Sequence, residues 1–215
     1  MKVLITGASR GIGKAIAEKF LKERWEVIGV DILPPPFLDI YYSHYKADIL
    51  TDRLPEIKGV DVLINNAGVQ NSVSDIDVNL KGTMRVTEKY GVREGIKSVL
   101  FIASASARTG SEFPEYAASK GGVVAYMKNV AMRIAPFGGT ANCLSPGGVL
   151  TDSNYRVMND PALWSQIMEV TPLKKWATEE EIAEFAFFLT AVNKSMTAQD
   201  ILVDNGEANN YKFVW

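Results

Sequence analysis

Lys2-Val-Leu-Ile-Thr-Gly-Ala-Ser-Arg-Gly-Ile-Gly13 opens the chain. Its first five residues are a short apolar run, read as a buried strand, and the glycines after them allow a tight turn. Ala15, Ile16, Phe20 and Leu21 then recur at helical spacing, and Trp25-Glu-Val-Ile-Gly-Val30 is a second strand ending at Asp31. Strand, glycine loop, helix and strand in that order form the opening unit of an alternating α/β architecture. The loop reads TGxxxGxG rather than GxGxxG. Glycines there let the backbone approach a diphosphate, and the N-terminus of the following helix favours its negative charge. Ordinary turn chemistry would also use glycines, but the position directly after the first strand favours the anion-binding reading.

The alternation continues through the chain. The Pro34-Pro-Pro36 run cannot be helical and marks a loop. Residues 45–47 read as a short third strand, 60–64 as a fourth and 98–103 as a fifth, with a helix over 78–92 between the last two. A helix begins at Pro114 and runs to Pro136, and Thr140-Ala-Asn-Cys-Leu-Ser145 is a sixth strand. Helices over 161–170 and 179–189 precede a last strand at 201–203. This pattern predicts an α/β, Rossmann-like, doubly wound parallel sheet of three layers. Residues 1–215 are expected to form a single domain, with a substrate-loop region at about 152–176.

The totals narrow the function classes. The 215 residues are 47% hydrophobic and carry a net charge of −2, which suits one globular domain and gives no electrostatic case for nucleic acid or an anionic membrane. No apolar run is long enough for a membrane span, and the N-terminus opens into a strand rather than a signal peptide. The single cysteine, Cys143, can form no internal disulfide and reads as core filler, so a cytoplasmic protein is expected. His44 is the only histidine and reads as structural, and no metal site is expected.

Three further stretches carry chemistry. Asp31, at the tip of the second strand, can accept both adenosine ribose hydroxyls and would repel a 2′-phosphate. Arg10 pulls the other way, since a guanidinium in the glycine loop could pair with that phosphate. NAD is therefore the expected cofactor and NADP the alternative. Asn65-Asn-Ala-Gly68 follows the fourth strand, where small residues let a cofactor lie against the strand end and an asparagine can tie neighbouring strands together.

The third is Tyr116-Ala-Ala-Ser-Lys120. The apolar stripe Val123, Met127, Val130, Ala131 and Ile134 extends backwards onto Lys120 and Tyr116, so phenol and ammonium share the buried face of one helix. A buried lysine needs a reason. Free Tyr titrates near pH ~10, and acid–base work at neutral pH needs a drop of roughly three units, or about 4 kcal/mol. A cation about 4 Å away at an effective dielectric near 20 contributes on the order of 4 kcal/mol. An activated tyrosine is one reading, and a surface lysine on an ordinary helix is the other.

Taken together, these pieces resemble the short-chain dehydrogenase/reductase family. The resemblance rests on Thr6-Gly-Ala-Ser-Arg-Gly-Ile-Gly13, Ala47-Asp48-Ile49, Asn65-Asn-Ala-Gly68, Asp77-Val-Asn-Leu-Lys-Gly82, Ser104, Tyr116 with Lys120, Ser145-Pro-Gly147 with Thr151, and Asp200-Ile-Leu-Val-Asp204 with Gly206, all in the family's order. It implies an oxidoreductase that moves a hydride between a nicotinamide cofactor and a secondary alcohol or ketone. Tyr116 would be the general acid or base, and Lys120 would hold the nicotinamide ribose and lower the tyrosine pKa. Ser104 would hydrogen-bond the substrate oxygen, with Ser106 as fallback, and Asn79 would hold a water that links Lys120 to solvent. The cofactor would be held by Gly7, Ser9, Arg10, Gly11, Ile12 and Gly13 in the loop, and by Asp31. Asp48 and Ile49 would flank the adenine, Asn66, Ala67 and Gly68 would line the adenosine ribose, and Pro146, Gly147, Val149 and Thr151 would cradle the nicotinamide end. A homodimer or homotetramer is implied, paired through the two long helices near Asn79 and Pro114, with Gly121-Gly122 permitting close approach. A catalytically silent dinucleotide sensor and an NADPH-dependent carbonyl or 3-oxoacyl reductase are the alternatives.

The sequence departs from the family's pattern in three places. Ser104 stands one residue closer to Tyr116 than usual, although Ala107 and Gly110 keep the surrounding spacing. The segment between Gly68 and Asn79 is short, as though a helix were trimmed away. Ala198 replaces a glycine before the last strand. For the substrate, Tyr155, Val157, Met158, Leu163, Trp164, Ile167 and Met168 offer either an apolar lid or a helix pair packed on the core, and the aromatic tail 210–215 could cover a cleft.

Overall fold

Short apolar runs bounded by turn residues pair into one parallel sheet. The computed structural model describes residues 1–111 and 113–210. The strands are β1 (Lys2–Thr6), β2 (Glu26–Asp31), β3 (Tyr42–Lys46), β4 (Val62–Asn65), β5 (Ser98–Ile102), β6 (Thr140–Pro146) and β7 (Asp200–Val203). Their order is β3-β2-β1-β4-β5-β6-β7, and every pairing is parallel. Every residue of β4 and β5 is buried, as expected of strands covered on both faces.

Alternation along β1 divides the core in two. Val3 and Ile5 join Phe20, Val27, Ile64, Ile182 and Ala186 on one face. Leu4 joins Leu63, Val86, Phe101, Val123, Met127 and Val130 on the other. The first face is covered by α1 (Gly11–Lys22) and α7 (Glu179–Phe187), which also carry the Lys19–Glu184 ion pair at 2.9 Å. The second is covered by α2 (Thr83–Tyr90) and α4 (Pro114–Ile134). Phe20, Trp25 and Phe187 meet edge to face, with centroids 5.0 to 6.4 Å apart, and close the first layer at its base.

Strand order reverses direction at β1, whose neighbours β2 and β4 lead to opposite edges. The crevice at the carboxyl ends of these strands is where an open α/β sheet receives its ligands. Three small helices lie beyond the strand ends: α3 (Ser106–Thr109), α5 (Tyr155–Met158) and α6 (Pro161–Val170). None of the residues of α6 is buried, so this helix is not part of the core. Trp164 on α6 instead rests on Trp176, with ring centroids 5.1 Å apart. No helix among the described residues is long and apolar enough to cross a membrane. The aromatic tail from residue 211 onward lies outside the described residues.

Several elements differ from the sequence reading. β3 begins at Tyr42, three residues earlier than expected, because an edge strand alternating Tyr, Ser, His and Tyr shows no apolar run. The helix expected over 78–92 opens as a wide π-turn, Asp77–Gly82, before α2. The helix expected over 179–189 similarly widens into a π-turn over Phe188–Val192. Gly122 is spent inside the chain, since a Cβ there would lie 2.8 Å from Leu80 Cδ2, whereas Gly121 has no atom nearer than Ala107 O at 4.0 Å. Only Gly121 leaves room for a second backbone.

Ala198 has a left-handed backbone, φ +59, a conformation that a glycine takes without strain. A left-handed residue with a Cβ costs roughly 1–2 kcal/mol, somewhat more than the chain entropy glycine adds to the unfolded state. Ala198→Gly is expected to raise stability by about 0.5 kcal/mol or more. Urea denaturation monitored by circular dichroism checks this, with an unchanged slope and a higher midpoint as the expected result.

Candidate active site at the carboxyl ends of the strands

The glycine loop is fastened to the end of β4 rather than to its own helix alone. Thr6 Oγ1 accepts the backbone N–H groups of Asn66 and Ala67, both at 3.1 Å. Asn66 Nδ2 donates back to Thr6 O at 3.1 Å and Gly7 O at 2.9 Å. Gly13 must lack a side chain, because a Cβ there would sit 2.0 Å from Gly7 O. Gly7 and Gly11 have φ of +67 and +58, which turns the chain sharply from β1 into α1. Arg10 is the N-cap of α1 and provides no side-chain cap, so N–H groups at the helix start remain for an anion. The Ser9 hydroxyl is buried without a partner among the described residues.

Asp31 closes the other side of this loop. Its Oδ2 accepts from Ser9 N and its Oδ1 from Leu33 N, both at 2.9 Å, so the carboxylate bridges the loop and the turn after β2. Beyond it, Tyr42 Oη lies 3.0 Å from His44 Nδ1, and His44 Nε2 lies 2.9 Å from Leu33 O. Burial, and secondarily the Asp31 charge, push the Tyr42 hydroxyl up to about 12. His44 thus braces the Asp31 turn, as a structural histidine would. Asp48 lies in the next turn, where its Oδ1 accepts from Leu50 N at 2.7 Å. Ile49 is 5% exposed, with Gly82 packed against it.

At the end of β5 the chemistry changes from backbone to side chain. Lys120 is only 6% exposed and donates to Ile102 O at 2.9 Å. Its ammonium lies 5.7 Å from the centroid of the half-buried Tyr116 ring, one turn earlier on α4. Desolvation pushes the Lys120 pKa down to about 8, against the opposing influence of Cys143 and Asp75. Ser119 is fully buried between them in sequence, donating from Oγ to Tyr116 O at 2.7 Å. Asn79 Nδ2 donates to Ser119 Oγ at 3.0 Å and to Val69 O at 2.8 Å, while Asn79 Oδ1 accepts from Val69 N at 2.8 Å. Gly68 fits between them: a Cβ on it would lie 2.9 Å from Asn79 Oδ1 and 3.5 Å from Lys120 Nζ.

Ser104 follows β5 and is 8% exposed. Its Oγ donates to Ser106 Oγ and accepts from Ser106 N, both at 3.2 Å. The two candidate serines are therefore hydrogen-bonded neighbours at the start of α3. Arg108 on α3 pairs with Asp200 of β7 at 2.8 Å, and Asp200 also accepts from Ser145, which pins this turn to the far strands. After β6, Gly147 lies against Asp204 and Gly148 against Trp176, where added Cβ atoms would come within 2.6 and 2.0 Å. Val149 is buried, and its carbonyl accepts from Thr151 N at 2.9 Å and Asn154 Nδ2 at 2.8 Å.

The geometry thus brings together two groups read from the sequence. Gly7, Ser9, Gly13, Asp31, Asn66 and Ala67 meet around the glycine loop, and Gly68, Asn79, Tyr116 and Lys120 meet at the start of α4. Thr6, Ser119, Arg108, Asp200 and Trp176 belong to the same constellation and had no assigned role in the sequence. Thr6 and Asp200 stood in motifs quoted from the sequence without a role of their own, and Ser119 lay inside the Tyr116–Lys120 turn.

Comparison with known proteins places the chain in a family. A family model described as enoyl-(acyl carrier protein) reductase matches residues 47–207. The 3-oxoacyl-(acyl-carrier-protein) reductase FabG of Buchnera aphidicola is 30% identical over 234 residues, covering 94% of this chain and 94% of its own length. Glucose 1-dehydrogenase of Gluconobacter oxydans is 30% identical over 241 residues, covering 95% of this chain and 91% of its own. The solved structure of Thermoplasma acidophilum aldohexose dehydrogenase superposes with a TM-score of 0.83 at 27% identity, covering 100% of this chain and 96% of that one. With matches of this extent, the chain belongs to the short-chain dehydrogenase/reductase family, and is a nicotinamide-dependent oxidoreductase acting at a CH–OH or carbonyl carbon.

Proposed function

We propose that this enzyme interconverts a secondary alcohol and its ketone with NAD(H) in preference to NADP(H), using Tyr116, Lys120, Ser104 and Asn79. The observation that carries the reading is the buried ammonium of Lys120, one helical turn from Tyr116 and hydrogen-bonded to the end of β5. A bound nicotinamide would supply or accept the hydride. Tyr116 gives its proton to the carbonyl oxygen in reduction and takes it back in oxidation. Lys120 favours the tyrosinate by charge and would hold the cofactor's ribose. Ser104 donates to the substrate oxygen as negative charge develops there, with Ser106 orienting it. Asn79, locked on Val69 and Ser119, stands beside Gly68 and Lys120, where it can hold the water that returns the proton from solvent.

The cofactor fits the residues present. Gly7, Ser9, Arg10, Gly11, Ile12 and Gly13 would receive the diphosphate, with bare helix N–H groups and the unpartnered Ser9 hydroxyl available to it. Asp31 would accept the adenosine ribose hydroxyls. Asp48 and Ile49 would border the adenine, and Asn66, Ala67 and Gly68 the ribose. Pro146, Gly147, Val149 and Thr151 would border the nicotinamide end. Asn66 contributes chiefly by shaping the loop, since its amide is engaged by Thr6 and Gly7. The region 152–176 would cover the substrate. A single unpaired cysteine suits the reducing cytoplasm. A second reading, 3-oxoacyl reduction, draws on the FabG relative.

Tyr116→Phe is expected to lower kcat with a ketone panel by roughly 10²- to 10⁴-fold. Unchanged turnover would remove the catalytic assignment, and wild-type protein that binds NADH but turns nothing over would favour a sensor.

The NAD preference rests on like-charge repulsion between Asp31 and a 2′-phosphate. Fluorescence titration should give tighter binding of NADH than NADPH, with the difference levelled or reversed in Asp31→Ala. Equal affinities in the wild type would assign a compensating role to Arg10.

A homodimer or homotetramer is proposed from the exposed apolar side chains of the outer helices, Met84, Met132, Phe185 and Phe188. Light scattering at micromolar concentration should return a multiple of 23.6 kDa, and a mass of one chain would overturn it.

A further inference from the structure

The glycine loop has an unexpected neighbour. Gly11 is the residue whose missing side chain leaves room at the start of α1. A Cβ placed on it would meet, among the described residues outside its own helix and chain neighbours, a single heavy atom within 4 Å: Glu179 Oε1, at 3.8 Å. The open side of an anion cradle is thus bordered by a carboxylate.

Glu179 is the first residue of α7, but it does not serve that helix's start. The capping box is closed by Thr178 and Glu181, and Glu181 also pairs with Lys175. Glu179 is carried to the loop because α7 packs beside α1, a contact fixed at its far end by Phe20, Phe187 and the Lys19–Glu184 pair. The groups acting on it come from three elements: Glu180 on its own helix, Asp152 at the turn after β6, and Lys14 and Glu18 on α1. Three of these four are acidic. Burial first, and then Glu180 and Asp152, hold the Glu179 pKa above the ordinary carboxylate value, with Lys14 acting in the opposite direction.

We propose that Glu179 sets the affinity of this enzyme for its dinucleotide: ionised, its carboxylate opposes the diphosphate at the Gly11 cradle, and neutralising it tightens binding. This rests on the reading of the glycine loop as the diphosphate site. The sign of the pH dependence follows directly. Bound diphosphate favours the protonated acid, so affinity is highest below the Glu179 pKa and falls as pH rises through it.

The test is equilibrium binding of NADH by fluorescence and of ADP-ribose by calorimetry, on the whole chain, between pH 5.5 and 8. Two like charges about 6 Å apart at an effective dielectric of about 40 correspond to roughly a tenfold change in Kd. Glu179→Gln is expected to bind both ligands about tenfold more tightly at pH 8 and to flatten the pH dependence. Glu180→Gln removes the same charge from the same helix turn but is exposed, so it should change Kd by less than about twofold. Adenosine, which lacks the diphosphate, should bind the wild type and Glu179→Gln alike. Melting curves of the ligand-free proteins verify folding, with Glu179→Ser as the second variant if Glu179→Gln melts early. Equal Kd values and equal pH slopes in wild type and Glu179→Gln overturn the proposal while leaving the loop's function intact, as does a tighter Glu180→Gln. Failure of every variant to bind either nucleotide at any pH overturns the diphosphate reading, and this proposal with it.

Discussion

An ammonium held out of water is the constraint around which the site is arranged. Lys120 is buried, and an isolated charge in that position costs several kcal/mol unless other groups compensate. Among the described residues, Ile102 O accepts from the ammonium, the Tyr116 ring lies 5.7 Å from it, and Cys143 and then Asp75 act against the desolvation. Its folded pKa, about 8, lies below the ordinary lysine value of 10.5. The charged form therefore opposes folding in full below about pH 8, and the penalty fades as pH rises towards the unfolded value. At neutral pH the fold carries that penalty in order to keep a cation beside Tyr116. Helix α4 crosses the end of β5, where the carbonyl of Ile102 meets the ammonium.

The second requirement is that separate strand ends act as one surface. A parallel sheet leaves each strand end to find its own partners, because the ladder stops there. Here the partners come from the next strand over. Four hydrogen bonds join Thr6 and Gly7, at the end of β1, to Asn66 and Ala67, just past β4. Ala103 and Ala105 donate to Leu144 and Pro146 across β5 and β6. Arg108 and Ser145 converge on Asp200. The first two links sit just beyond the last ladder pairs, and the third ties α3 and β6 to the first residue of β7, so the crevice walls are held by the same hydrogen-bonding logic as the sheet.

What the sequence disclosed follows from how local each signal was. β1, its glycine loop and α1 were legible because strand, turn and helix are contiguous. Tyr116 and Lys120 were legible because four residues is one helical turn. Thr6 was visible as the first residue of the TGxxxGxG loop, but its role was not, since that role depends on residues sixty positions away. That Ile49 packs against Gly82 was not legible, because a turn's inward face cannot be told from its outward one by spacing. Gly122 was expected to admit a second chain and instead admits Leu80. β3 was placed late because exposed edge strands need no apolar run.

The short segment between Gly68 and Asn79 shows how one side chain can replace an element. No α-helix fills residues 69–74, and the chain there makes only turns, with Asp75 accepting from Ser72 N at 3.1 Å. Val69, just past the end of β4, would be left with an unpaired N–H and C=O. The Asn79 amide satisfies both at 2.8 Å, in the way a neighbouring strand would. To reach outward while its own backbone stays helical, Asn79 sits in the wide turn Asp77–Gly82, where an extra residue per turn redirects a side chain. Ser119 takes the remaining amide hydrogen and passes the constraint on to Tyr116 O. The widened turn, the trimmed loop and the start of α4 are therefore one mechanical unit. A residue at position 79 without both a donor and an acceptor would leave Val69 unpaired and loosen the Tyr116 turn together with it.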